Sequence, residues 1–343
     1  MQSKHVHSLK HGEFEFNTEL GSIIRVCKNH LPILKGLSIK RLILGAGAIR
    51  EPHWHANATE LAYCVSGKAL IGVLDNGSVF SSFIVGAGQM FHIPSGAVHH
   101  IENIGEVEAE FIIAFRSDLP EDFSMHAAFG AMTNAVLGNT YDLPGSAFES
   151  IARTTMGTHI VKRVGSAVIP PSALYNSPHS FDIEAQNALL DSSAGSARFA
   201  RVQFWPVLKD ISMYSLRITA KGMREPHWHP ETAEMGYVQR GHARMTVLDP
   251  DGNTDTYELS PGDVYFIPRA YPHHIEQLGS DEVHFLIFFD QPTPGDIGYR
   301  ATASAFSREV IAATLGIGVN DLPQLPFTPA DPLLVNRINA RDE

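Results

Sequence analysis

A hexapeptide, Arg-Glu-Pro-His-Trp-His, occurs twice, at positions 50–55 and 224–229, and the 174-residue offset between its copies organises much of the remaining sequence. Leu31-Pro-Ile-Leu-Lys stands against Trp205-Pro-Val-Leu-Lys, and Phe91-His-Ile-Pro against Tyr265-Phe-Ile-Pro. Gly67, His99, Gly105 and Phe115 stand against Gly241, His273, Gly279 and Phe289. From Leu31 to Phe115 the copies align without a gap, so the chain is two copies of one fold. Its 343 residues are enough for two cores of ordinary domain size. The expected division is residues 1–165, an N-terminal domain with a lid and helix, and 166–343, a C-terminal domain with its own helix.

Within a copy, short apolar runs alternate with turn signals. In the first, Lys40 to Leu44, Glu60 to Val65, Ala69 to Leu74, Phe80 to Val85, Gln89 to Ile93 and Glu110 to Phe115 read as strands. They are separated by Ser66-Gly67, Asp75-Asn-Gly77, Gly86-Ala-Gly88 and Pro94-Ser-Gly96. Regular short strands with Gly and Pro turns predict an all-β sandwich or closed barrel. Helix signals follow each barrel: Ser307 caps a segment running to Leu315 and stopped by Gly316, with a shorter counterpart near Ala127 to Leu137. Residues 138–200, rich in Gly, Ser, Pro and Ala, read as the connection plus the entry to the second barrel.

Residues two apart on a strand share a face, so His53 and His55 can both point into a barrel, as can His227 and His229. Glu60 or Glu234 follows five residues after the second histidine, and His99 or His273 comes 39 residues later. Three imidazoles and a carboxylate suit an octahedral divalent metal with two positions left for water, substrate or dioxygen. His100 and His274 follow directly, and of two adjacent strand residues only one faces inward, so spacing leaves each pair open.

Arg50 and Arg224 stand three positions before the first histidine of each set, which on a regular strand puts them on the opposite face. Pro52 and Pro226 intervene, however, and the arginine recurs in both copies. A guanidinium beside a metal suits bidentate contact with a substrate carboxylate. The remaining histidines carry less: His92 and His242 have no histidine partner in the other copy, His126 lies in the expected lid, and His5, His7 and His11 read as a polar surface segment.

The formal charge of −11 offers no field for nucleic acid or an anionic membrane. Neither an apolar signal core nor a spanning run is evident, and the only cysteines, Cys27 and Cys64, read as core residues that allow a reducing compartment. A cytoplasmic protein is expected, with a homo-oligomer allowed.

The run Arg50-Glu-Pro-His-Trp-His, then Glu60, Gly67 and Pro94-Ser-Gly-Ala-Val-His99, resembles the oxalate decarboxylase family of bicupins over both barrels. The resemblance implies two tandem cupin (jelly-roll) barrels, each holding a manganese ion: one on His53, His55, Glu60 and His99, the other on His227, His229, Glu234 and His273. Iron, zinc, nickel or cobalt would fit the same ligands. It further implies a small carboxylate substrate bound by Arg50, with Arg224 its counterpart, and dioxygen as a participant. Family decarboxylases carry a Ser-Glu-Asn-Ser-type lid whose glutamate supplies the proton that ends in formate. Here the segment is Ser117-Asp-Leu-Pro-Glu-Asp-Phe-Ser-Met-His126, and Glu121 falls near that position as the expected catalytic acid. Some members keep a second-barrel glutamate where this chain has Ile287, so the first barrel is the expected seat of chemistry. An oxalate oxidase or other dioxygenase, or a metal-containing binding or storage cupin, are the alternatives.

Overall fold

The computed structural model describes residues 3–328 and 331–341. Strand dominates at 43% against 12% helix, which places the chain in the all-β class. It forms two compact units: Gly12–His30 with Gly36–Ala185, and Met1–His11 with Leu31–Lys35 and Gln186–Glu343.

In the first unit a seven-stranded antiparallel sheet runs in the order Ser180–Asp182, Gln89–Ile93, Glu60–Ser66, Ala109–Phe115, Ser38–Leu44, Gly21–Val26, Phe14–Thr18. Its partner sheet runs Asp122–Ser124, Ala48–His55, Val98–Asn103, Lys68–Asp75, Val79–Gly86, with Ile160–Lys162 also on Ala48–His55. The second unit repeats the order: Val6–Ser8, Asp263–Ile267, Glu234–Arg240, Val283–Phe289, Ser212–Ile218, Gly195–Ala200, Leu190–Ser192. Its second sheet is Thr254–Leu259, His242–Leu248, His273–Leu278, Gly222–Trp228, Ile297–Gly298, with Leu334–Asn336 on Gly222–Trp228. The sheets do not close into one hydrogen-bonded ring; each unit is a pair of sheets over an apolar core. Leu42, Ile71, Phe83, Phe91 and Phe111 fill the first core, and Leu216, Met245, Tyr265 and Phe285 the second.

Two expectations are corrected. Residues 138–200 are more than connection: Ile160–Lys162 and Ser180–Asp182 complete both sheets of the first unit, which therefore extends to Ala185 rather than ending near 165. The N-terminal histidine segment is not a loose surface tail either. Val6–Ser8 pairs with Asp263–Tyr265, where Ser180–Asp182 sits in the other copy, and His5 is buried with Nδ1 2.7 Å from the Phe266 carbonyl. Unpaired strand backbone is costly away from water, and each copy supplies an edge partner from outside its repeat.

Ser307 caps Arg308–Leu315 by accepting the Val310 N–H, and Gly316 ends it at φ 69°. The counterpart in the first unit is two short helices, Met125–Gly130 and Asn134–Tyr141. Among the described residues no helix is long and apolar enough to cross a membrane.

Candidate metal centres

The Ala48–His55 strand does not keep regular alternation. Its pairing with Val98–Asn103 puts His53 opposite His99 but Arg50 opposite Ile101, a bulge of one extra residue. The bulge reverses the facing between Arg50 and His53, so both are buried on the inner side. Gly222–Trp228 repeats it, with His227 opposite His273 and Arg224 opposite Ile275. The regular-strand expectation for the two arginines fails because Pro52 and Pro226, which cannot donate to a ladder, sit at the irregularity.

His53, His55 and His99 come from one sheet and Glu60 from the facing one. One ligand-type atom from each of the four lies within 4.8 Å of every other, and His227, His229, Glu234 and His273 gather identically. All eight are at most 3% exposed. His99 and His273 turn inward, whereas His100 lies against Gly72 and His274 remains partly exposed.

The nitrogens are pre-assigned. Nδ1 of His53, His99, His227 and His273 donates to the carbonyls of Glu51 (2.8 Å), Ala97 (3.1 Å), Glu225 (2.8 Å) and Tyr271 (2.9 Å). A carbonyl only accepts, so Nδ1 carries the proton and the Nε2 lone pair turns to the centre. Burial first, then Arg50, holds His53 far below the ordinary imidazole value, and burial with Arg224 does the same to His227, so both stay neutral. Burial by itself would raise Glu60, but His99 and His55 outweigh it and keep the carboxylate ionised; Glu234 behaves alike. Glu60 Oε2 lies 2.8 Å from His55 Nε2 and 3.2 Å from His99 Nε2, while Glu60 Oε1 and His273 Nε2 are buried without hydrogen-bond partners. Burial by itself would lower His55 and His229, but Asp122 with Glu60 and Asp296 with Glu234 outweigh it and raise both, His229 to about 9, so each holds a proton that a cation would displace. Converging ring nitrogens, an ionised carboxylate and orphaned atoms fit a divalent cation, and the two clusters are sites for two such ions.

Asp122 holds His55, with Oδ1 2.7 Å from Nδ1; at the other centre His229 Nδ1 lies 2.6 Å from Asp296 Oδ1, 174 residues on, and 3.1 Å from the Gly295 carbonyl. Asp122 Oδ2 also lies 2.7 Å from Lys40 Nζ and 3.4 Å from Arg50 Nη2, and these partners outweigh burial to keep it ionised. Glu121, the expected acid, is exposed; the structure brings Asp122 to the cluster instead. The reason is pairing: Asp122 sits opposite His55 in a short strand, and neighbouring strand residues face opposite ways. Asp296 was within reach of sequence reasoning, because the 174-residue offset carries Asp122 onto it. His126 donates its backbone N–H to Glu51 at 3.4 Å.

Arg50 joins His53, His55, Glu60, Lys40 and Phe115 around one cavity of about 10 Å³, close to the room needed for a single water. Its guanidinium is held by the His159 carbonyl (3.2 Å) and Asp122; Arg224 is held by the Leu333 carbonyl (2.9 Å) and Asp296 (2.8 Å). The centres differ at the carboxylate: Tyr265 donates to Glu234 Oε1 at 2.6 Å, where Phe91 leaves Glu60 Oε1 bare.

Similarity to known proteins agrees with this architecture. The chain is 29% identical to the oxalate decarboxylase OxdC of Bacillus subtilis over 312 residues, 85% of this chain and 77% of that protein. It is 36% identical over 88 residues to the oxalate oxidase GF-2.8 of Triticum aestivum, 25% of this chain and 39% of that protein. The solved structure of B. subtilis oxalate decarboxylase at pH 4.6 superposes with a TM-score of 0.85 and 25% identity, covering 98% of this chain and 88% of that one. Residues 7–147 and 181–322 each match the cupin family, and the chain therefore belongs to it, as a bicupin related to the oxalate decarboxylases.

Proposed function

We propose that this protein is a manganese-dependent enzyme acting on oxalate or a similarly small carboxylic acid, cleaving its carbon–carbon bond to formate and carbon dioxide. The observation that carries the reading is the shared wall: one small cavity is lined both by metal-type ligands and by the clamped guanidinium of Arg50. Manganese is favoured by the relatives, since Mn(II) centres are described for the B. subtilis oxalate decarboxylase that superposes at a TM-score of 0.86. An ion on His53, His55, Glu60 and His99 would supply Lewis-acid and one-electron chemistry to a carboxylate. Arg50, already fixed by two acceptors, keeps further N–H donors for the substrate's other oxygens. The cavity has room for about one water, so a substrate enters it only with a shift of its walls, such as a release of the Asp122–Ser124 strand that covers His53–His55.

Oxalate dianion plus one proton gives formate and carbon dioxide, so a donor is needed. Asp122 is a poor one, because its neighbours keep it ionised. Glu121 remains the proposed acid and reaches the site only if Asp122–Ser124 releases its pairing with His53–His55. The exposure of Glu121 favours a second reading, oxidation in which oxalate, dioxygen and two protons give two carbon dioxide and hydrogen peroxide with no lid acid.

Products separate the readings. Manganese-loaded protein given oxalate should release formate, and Glu121→Gln should slow that by a factor on the order of 10² or more. Peroxide in place of formate, with Glu121→Gln inert, selects oxidation. Neither product, with metal bound, selects a binding or storage cupin.

A further inference from the structure

The two centres share their ligands but not their walls. Lys40, on Ser38–Leu44, is 5% exposed and lines the first cavity together with Arg50. Its ammonium lies 2.7 Å from Asp122 Oδ2, 3.5 Å from Glu15 Oε2 and 5.3 Å from the centre of the Phe115 ring. Arg50 Nη2 reaches the same Asp122 oxygen at 3.4 Å. One carboxylate oxygen, that of Asp122, thus already rests between an ammonium and a guanidinium, the two-cation arrangement that a substrate carboxylate would use.

At the offset of 174 the second centre has Tyr214 in place of Lys40, and the change is concerted. Glu15 and Arg25, which are 3.3 Å apart and flank Lys40, become Leu189 and Phe199. Tyr214 is buried with its ring 4.1 Å from Phe199 and 4.8 Å from Phe289, and burial with Asp296 pushes its hydroxyl well above the ordinary phenol value, so it adds no charge. The neighbouring cation, Arg201, is half-buried with its guanidinium over Phe199 and Phe204 and its hydrogen bond given to the Tyr214 hydroxyl. Three charged positions around one wall therefore become three apolar or neutral ones around the other. Burying a lysine is costly and a methionine or tyrosine would fill the space, so packing gives no reason for the charge.

We propose that Lys40 is a specificity-determining residue of the first centre, adding a second cation beside Arg50 that selects small dicarboxylate dianions over monocarboxylates, and that Tyr214 leaves the second centre without this selection. The inference rests on the carboxylate reading above and assigns it to one of the two centres.

The test uses the full manganese-loaded chain and calorimetric titration with oxalate and with acetate, with dioxygen excluded and formate release checked so that binding and not turnover is read, alongside elemental analysis. Lys40→Met should weaken oxalate at one centre by roughly tenfold or more, the scale of a lost hydrogen bond to a charged group. Acetate should shift less than about threefold, and manganese content should equal that of the unaltered chain. Lys40→Arg should keep most of the oxalate preference, because the cation remains. Tyr214→Lys should raise the oxalate-to-acetate preference of the second centre. Equal weakening of both anions, no change in either, or loss of one manganese in Lys40→Met overturns the proposal, the last because Lys40 would then act only through Asp122 on His55. An unaltered protein that binds neither anion sinks the carboxylate reading itself; one that binds oxalate as tightly with Lys40→Met sinks only the role of Lys40.

Discussion

Replacing Asp122 by Asn tests whether the short strand after the first barrel is part of the metal centre. The carboxylate accepts from His55 Nδ1 at 2.7 Å and faces Lys40 and Arg50 with its other oxygen. An amide keeps the shape but removes the charge, so His55 loses a charge-assisted hydrogen bond and some basicity at Nε2. Loss of such an outer carboxylate costs about ten- to a hundredfold in metal affinity, or about 1.4–2.8 kcal/mol. Asp122→Asn also removes the anion that Lys40 and Arg50 share, leaving Lys40 only Glu15 at 3.5 Å, and this added positive charge repels a cation and pushes the effect towards the upper end. Asp296→Asn leaves only Arg224 so exposed and should fall nearer the lower end. Titration of apoprotein with manganese against a competing chelator resolves two affinities; each substitution should weaken one and spare the other. Affinities within twofold of the unaltered chain for Asp122→Asn would refute the argument that this carboxylate supports His55.

Elemental analysis after expression with ample manganese should give two equivalents per chain, and His99→Ala and His273→Ala should each remove one; loss with His100→Ala or His274→Ala instead would contradict the ligand geometry. His284, buried on Val283–Phe289, is pushed down to about 2 by burial and then by Arg217, Arg240 and Arg198. Unfolded chain binds its proton near pH 6.5 while folded chain does not, so this group's stabilisation is whole above pH 6.5 and shrinks by about 1.4 kcal/mol per pH unit below it. Urea unfolding of His284→Gln should show a correspondingly flatter acid dependence between pH 6.5 and 5, and an unchanged slope would count against the assignment. A methyl group at Gly236 would meet the Tyr265 ring at 2.1 Å, so Gly236→Ala should cost about 1–3 kcal/mol and disturb the Tyr265–Glu234 hydrogen bond; an unchanged midpoint in denaturant would show that the ring has room to yield.

The duplication, the strand segments and all but the third histidine of each ligand set were present in the amino-acid order, because each rests on local or repeated signals; His99 and His273 were singled out from His100 and His274 by the family resemblance. A 174-residue offset needs no coordinates, and neither does the period of two that lets His53 and His55 share a face. The Ser307 cap and the Gly316 stop are likewise short-range devices. Cys64 also behaves as its apolar surroundings implied, with burial pushing its thiol up to about 12.

What only the tertiary structure decided were pairings between distant segments. His5 looked like a tail residue because nothing near it in sequence announces that Val6–Ser8 will complete a sheet edge more than 250 residues away. Arg50 reaches the metal face through a bulge that depends on how its strand pairs with Val98–Asn103. Glu121 and Asp122 are chemically similar neighbours, and the choice between them was made by the register that sets Asp122 opposite His55 and turns Glu121 to solvent. In a sheet a shift of one residue exchanges inside for outside, so the identity of a loop-borne carboxylate at a site is a property of pairing, which composition and spacing do not contain.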